Sequence, residues 1–350
     1  MPDVLAPELT QTTSRHEVPA LLSVRDLRVT YRSPRGVVHA VDGASFEVGQ
    51  AEMIGLVGES GCGKTTAARA LTGVMAGNAS VTGGSITFTG RDLLALSRSQ
   101  MRAVRWKEIA FVPQSAMNSL DPVYRVERQL QEVLRRGELR GNAARDRAIA
   151  LLGMVGLSPA VMGAFPHQLS GGMRQRVAIA LALALDPLLV IADEPVTALD
   201  VIVQREVLDT LRDLQRRLRL SVIMITHDIS VVAYCCDRIV VMYAGQVVES
   251  GPSGVILGAA GHPYTMGLCN AFPDLERAAD LLVPIKGSPP DLHDPPFGCR
   301  FAPRCPFAIE CCTIEAPALI EREPGHKVAC WRGGEAAMLR QRASEAATWM

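Results

Sequence analysis

The residues Gly58-Glu59-Ser60-Gly61-Cys62-Gly63-Lys64-Thr65 carry the spacing G-x-x-x-x-G-K-[ST] of a phosphate-binding loop. The apolar run MIGLVG precedes them and a helical pattern opens at Gly63, the strand–loop–helix context that this spacing needs. Glycines let backbone N–H groups turn inward around phosphate oxygens, and the helix N-terminus adds positive potential. Ser60, Gly61, Cys62 and Gly63 line the loop, Lys64 reaches the β- and γ-phosphates, the Thr65 hydroxyl ligates Mg²⁺, and Thr66 follows on the helix. The bland alternative is a chance glycine-rich turn, which the flanking strand and helix argue against. By itself the loop specifies a nucleoside triphosphate and nothing narrower.

A second cluster lies at the end of the buried-strand pattern LLVIADE, 188–194. Asp193 is placed to hold Mg²⁺, often through water, and Glu194 to orient and deprotonate an attacking water. A lone adjacent pair of acids would more often be a solvated strand end; the upstream loop changes that weighting. In LSGGMRQR (169–176), Ser170, Gly171 and Gly172 open a helix. A hydroxyl and free N–H groups at a helix start make a second phosphate-binding surface, although the chain already has one. A capped helix start explains Ser170 but not two glycines expected to be exposed before MRQR.

At these residues the chain resembles the ABC ATPase family, whose signature motif docks onto the ATP of the opposite subunit. The resemblance implies further roles. Tyr31 would stack on adenine, although a strand-end tyrosine is the ordinary reading of such a residue. Gln114 in FVPQ would touch Mg²⁺ and the attacking water. Asp200, after Ala198-Leu199, would lie in the loop that crosses to the partner. His227 in ITHD would contact the γ-phosphate. Departures are mild: Cys62, Met173 and Val196 replace commoner residues, and none removes a catalytic group.

The elements that must position these groups follow from periodicity. Residues 21–58 read as strands, with more at 85–90 and 109–114, and the spacing turns helical from about 118 to 170. Strand and helix then alternate to 251, the mark of a parallel α/β core. The implied fold is an α/β ABC ATPase (P-loop NTPase) core, with an antiparallel β subdomain, a helical subdomain and a small cysteine-rich C-terminal extension. The expected divisions are a disordered lead at 1–20 and a nucleotide-binding domain at 21–255, its helical subdomain at about 115–175. A C-terminal extension with a Pro-rich linker at 256–298, a cysteine-rich metal- or cluster-binding segment at 299–335 and a tail at 336–350 follow.

Composition narrows the partners. The 36 basic residues balance 36 acidic ones, which argues against nucleic acid, since phosphate-backbone binders usually carry a basic excess. The N-terminus lacks the pattern of a signal peptide. The most apolar stretch, 177–192, is split by Asp186-Pro187 into pieces too short for a bilayer span, so a soluble chain is expected.

Within the family, the resemblance over about 21–335 is closest to ATPase subunits of oligopeptide and dipeptide importers. QSAMNSLDPV after Gln114, HPYTMGLCNAFP at 262–273 and the cysteine-rich end carry it. It implies two permease subunits, a second and homologous ATPase subunit and an extracytoplasmic binding protein. The chain would lie peripherally on the cytoplasmic face of the inner membrane, with 115–135 against the permeases. A nickel or sugar importer, or an ABC ATPase not engaged in transport, are the alternatives.

Of nine cysteines, five crowd into 299–330. By resemblance Cys299, Cys305, Cys312 and Cys330 are cluster ligands, with Cys311 an extra thiol. Four thiolates can hold a [4Fe–4S] cluster or zinc; the close C-x2–4-C pairs usual for structural zinc are absent, so the cluster is expected, with zinc or free thiols as the alternatives. The segment is expected to be a crosslinked appendage, with ATP binding at Lys64 independent of it.

Overall fold

The computed structural model describes residues 20–114, 119–270 and 284–349. The expected N-terminal lead lies outside them save for its last residue, as do 115–118 and 271–273 of the two family stretches.

Two sheets make the core. β1 (Leu22–Ser33), β2 (Gly36–Val48), β4 (Ala79–Phe88) and β5 (Arg91–Asp92) form an antiparallel sheet in the order β2-β1-β4-β5. The larger sheet also takes β3 (Met53–Val57), β6 (Ile109–Val112), β7 (Leu189–Asp193), β8 (Ser221–Thr226), β9 (Arg238–Tyr243), β10 (Gln246–Pro252), β11 (Ile320–Glu323) and β12 (His326–Val328). Its order is β11-β12-β10-β9-β3-β8-β7-β6, parallel from β9 to β6 and antiparallel from β9 to β11.

The parallel strands are apolar on both faces, as a sheet covered on both sides requires. Alternate residues serve different cores. Ile54, Leu56, Ile191, Ile223 and Ile225 pack with the antiparallel sheet and the helix Lys64–Thr72. Met53, Val57, Val190, Val222 and Met224 face the other core, which includes the helical insert. That insert holds its helix Val126–Arg136 by Val126, Leu130 and Leu134, spaced i, i+4, i+8 and fully buried.

The C-terminal part adds to the same body. The hairpin β11–β12 extends the large sheet, with Glu249 opposite Val328. The Pro-rich stretch runs along β2, where His39 N donates to Leu292 O at 2.9 Å. The residues expected as a tail form the helix Ala336–Ala343, whose Leu339 and Ala343 are buried together with Trp349. Phe301 sits edge-on to Tyr243, with centroids 5.2 Å apart, in an aromatic group completed by Tyr264.

Candidate functional site

β3, β8, β7 and β6 are neighbours in the sheet and run parallel, so their C-terminal ends share one edge. Each end delivers one part of the site, the place where open α/β sheets bind ligands. β3 leads into Gly58–Thr65, β7 into Asp193 and Glu194, β8 into His227 and β6 into Gln114.

The loop turns into the helix Lys64–Thr72 at Gly63, whose φ is +102°. A Cβ there would fall 2.2 Å from Ala40 O, so only glycine fits. Lys64 is buried, and its Nζ donates to Gly58 O at 2.6 Å and to Glu59 O at 3.0 Å. Cys62 is buried behind the loop, and burial pushes its thiol pKa up. Tyr31 lies 3.2 Å from the Thr66 hydroxyl through its own, and Ser60 and Gly61 are exposed.

Thr65 Oγ1 donates to Asp193 Oδ1 at 3.1 Å, joining two of the three expected Mg²⁺ ligands. Burial raises the Asp193 pKa, the Thr65 hydrogen bond opposes that and the Glu194 charge adds to it. A bound cation would favour the ionised form. Hard oxygen donors of this kind suit Mg²⁺.

Glu194 is the centre of the constellation. Its Oε2 accepts from Gln114 Nε2 at 2.7 Å and from Thr197 Oγ1 at 3.0 Å, while its Oε1 faces His227 Nδ1 at 3.1 Å. Burial disfavours its charge, but the hydrogen bonds from His227, Thr197 and Gln114 outweigh that and hold the carboxyl below its usual range. Its φ of +47° is left-handed, a strained setting for a side chain that recurs at functional sites. A backbone bond from Glu194 N to Ile225 O at 2.8 Å pins it. Thr197 was not anticipated; its position three residues after Glu194, on a turn, was the available signal.

Ser170 caps the helix Gly171–Ala182, accepting from Met173 N at 3.2 Å, and is itself exposed. The two glycines are not both exposed as expected. Gly171 is half-buried and Gly172 buried, because Gly172 packs on the helix Val201–Leu218 so closely that a Cβ would meet Val203 Cγ1 at 2.4 Å. Asp200 caps that second helix, accepting from Val203 N at 3.0 Å. The two helix starts at Ser170 and Asp200 are thus packed together, with Val201 and Ile202 strongly exposed beside them.

Cys299, Cys305, Cys312 and Cys330 line one cavity together with His262 and Phe307. Cys311 does not; it lies beside Cys312 on the short helix Glu310–Ile314. Burial pushes the Cys305 thiol up to about 12 and Cys330 up to about 11, and the neighbouring cysteines add to both. Among the described residues no group of three or more His, Cys, Asp or Glu is arranged to hold a metal ion, so a ready-made metal site, which the sequence led us to expect, is not formed by these side chains. No described helix is long and apolar enough to cross a membrane.

Comparison with known proteins agrees with this geometry. The ABC transporter family model matches residues 41–197, and the model of the oligopeptide/dipeptide transporter C-terminal region matches 248–312. The oligopeptide transport ATP-binding protein OppD of Escherichia coli is 44% identical over 91% of this chain and 95% of its own. The dipeptide transport ATP-binding protein DppD of Bacillus subtilis is 42% identical over 89% of this chain and 94% of its own. Among solved structures, the dimeric ATP-binding cassette MJ0796 bound to ADP and phosphate matches with a TM-score of 0.60 and 27% identity, covering 66% of this chain and 98% of that one. CbiO1 of Clostridium perfringens matches with a TM-score of 0.61 and 27% identity, over 69% and 91%. With likeness over nearly the whole length, this chain belongs to the ATP-binding proteins of the oligopeptide and dipeptide ABC transporter family.

Proposed function

We propose that the chain binds and hydrolyses ATP to power a peptide importer. The observation that carries this is the convergence of Gln114, His227 and Thr197 on the Glu194 carboxylate beside the Thr65–Asp193 pair. Glu194, kept ionised, takes a proton from the attacking water. A carboxylate can only accept, so Nδ1 of His227 carries a proton in this pair, and Nε2 holds the γ-phosphate when it too is protonated and both ring nitrogens donate. Lys64 and the loop N–H groups hold the phosphates, Tyr31 the adenine. Mg²⁺, when bound, offsets phosphate charge; Thr65, Asp193 and Gln114 are the residues that would hold it.

Ser170, Gly171, Gly172 and Asp200 serve the ATP of a second, homologous ATPase subunit. Two permease subunits and an extracytoplasmic binding protein complete the assembly, and the chain works peripherally at the cytoplasmic face of the membrane. The names of its relatives support peptides as the cargo. Cys299, Cys305, Cys312 and Cys330 are the ligands of a [4Fe–4S] cluster, which when bound crosslinks the segment; the cavity they share supports this.

Affinity purification of the chain from detergent-solubilised membranes tests the assignment. Recovery of two permeases and a second ATPase is expected; recovery of ribosomes or DNA in their place would overturn it.

A further inference from the structure

The second residue of the phosphate-binding loop is an acid, and the loop pattern does not ask for one. A carboxylate near a bound triphosphate repels it unless the charge is countered. Here it is countered from the cysteine-rich segment. Arg304 Nη1 donates to Glu59 Oε2 at 2.8 Å and Nη2 to Oε1 at 3.0 Å, a two-pronged pair in which the arginine side chain is 7% exposed and the glutamate 26%. The remaining donors of Arg304 are engaged as well. Nε reaches Lys286 O at 2.9 Å, Nη2 reaches Ile285 O at 3.2 Å and Nη1 the Tyr243 hydroxyl at 3.2 Å. A guanidinium tied at every edge is held in place.

The far side of the contact is the loop's own framework. Glu59 N donates to the Tyr264 hydroxyl at 2.8 Å, and Glu59 O accepts from Lys64 Nζ at 3.0 Å and from Cys62 N at 3.2 Å. Side chain, N–H and carbonyl of one residue are therefore each fixed, and Arg304 and the phosphate-binding lysine hold the same residue. A second arginine of the same short stretch reinforces it. Arg300 pairs with Asp42 and donates to Ala244 O, and the next residue, Gly245, donates its N–H to Cys62 O at 2.9 Å. Both arginines lie between Cys299 and Cys305.

We propose that Arg304 is a positioning residue for ATP: it neutralises Glu59 and fixes the phosphate-binding loop, so that the cysteine-rich segment sets nucleotide affinity. The inference rests on ATP binding at Lys64, and its test separates the two.

ATP affinity of the purified full-length chain is measured by displacement of a fluorescent ATP analogue, with thermal unfolding recorded for each variant. Arg304→Ala leaves the Glu59 charge without its partner in the phosphate-binding loop and is expected to weaken ATP binding about tenfold. Glu59→Gln with Arg304 intact is expected to bind ATP as tightly as wild type or more so. The double variant Arg304→Ala/Glu59→Gln is expected to recover to within about threefold of wild type. A purely structural role for Arg304 predicts no such recovery, since the segment stays untethered in both, and that result would overturn the proposal. Arg304→Gln, which keeps hydrogen bonding without charge, replaces Arg304→Ala should the latter fail to fold, with the same expectations. Lys64→Ala is the reference. If it binds ATP like wild type, the site assignment fails; if it loses ATP while Arg304→Ala and Arg304→Gln do not, only the inference fails.

Discussion

His227 Nδ1 lies 3.1 Å from Glu194 Oε1, joining the ends of two neighbouring parallel strands, β8 and β7, through one hydrogen bond. That contact lets the histidine orient the Glu194 carboxyl, and the proposed function gives it a second role at the γ-phosphate. His227→Ala is therefore expected to keep ATP binding and to lower turnover of the assembled transporter by roughly 10²-fold or more. Equal losses in binding and turnover would point to a structural role instead.

The same contact fixes a pH dependence. Glu194's carboxyl is held below its ordinary value of 4.5, so the folded state gains stability from it above the unfolded pKa and loses that gain as pH falls through the lower, folded value. His227→Ala removes one of the bonds that lower it. The Glu194 titration, followed by carbon NMR of the labelled carboxyl, should move upward in that variant; an unmoved midpoint would show that His227 does not tune the base.

Gly172 is fixed by packing. Adding a methyl 2.4 Å from Val203 Cγ1 forces the signature helix and the helix after Asp200 apart. Gly172→Ala should cost about 1–3 kcal/mol of stability, read as a lower urea midpoint, and should weaken pairing with the second ATPase. Ser170→Arg, at an exposed cap, should leave folding and ATP binding at Lys64 intact while impairing hydrolysis by the assembly. A full-rate isolated monomer would contradict the shared site.

Much of this was legible in the residues. The glycine–lysine–threonine loop, the acid pair closing an apolar strand and the histidine closing the next are local patterns, and a parallel sheet brings strand ends together whatever their separation in sequence. The tail was not legible in the same way. Its hairpin joins β10 through Glu249 and Val328, partners 79 residues apart, and Phe301 finds its place only against Tyr243 and Tyr264. Short strands and single aromatics give no periodic signal, so a Pro-rich stretch read as a linker into a separate appendage. The burial of Gly172 was hidden likewise, since glycine reads as exposed loop until its neighbour is known.

The cysteine cavity yields a chemical test. Anaerobically purified protein should be brown and carry about four irons per chain, the content of a cubane held by four cysteines. Cys305→Ser should lose the colour. Contrary to an independent appendage, it should also weaken ATP binding, because Arg304 is its neighbour. Cys311→Ser should keep the iron, since Cys311 does not line the cavity. Colourless wild-type protein with one zinc per chain would replace the cluster with a zinc site.

If Glu194 is the base of an ATPase, turning its carboxylate into an amide removes the proton acceptor and little else. In the assembled transporter, with the second ATPase's own site silenced, ATP hydrolysis by Glu194→Gln is measured beside ATP binding. The expected result is turnover lower by roughly 10²–10⁴-fold with ATP still bound and the two ATPase subunits held together. Hydrolysis near the wild-type rate would show that Glu194 is not the base.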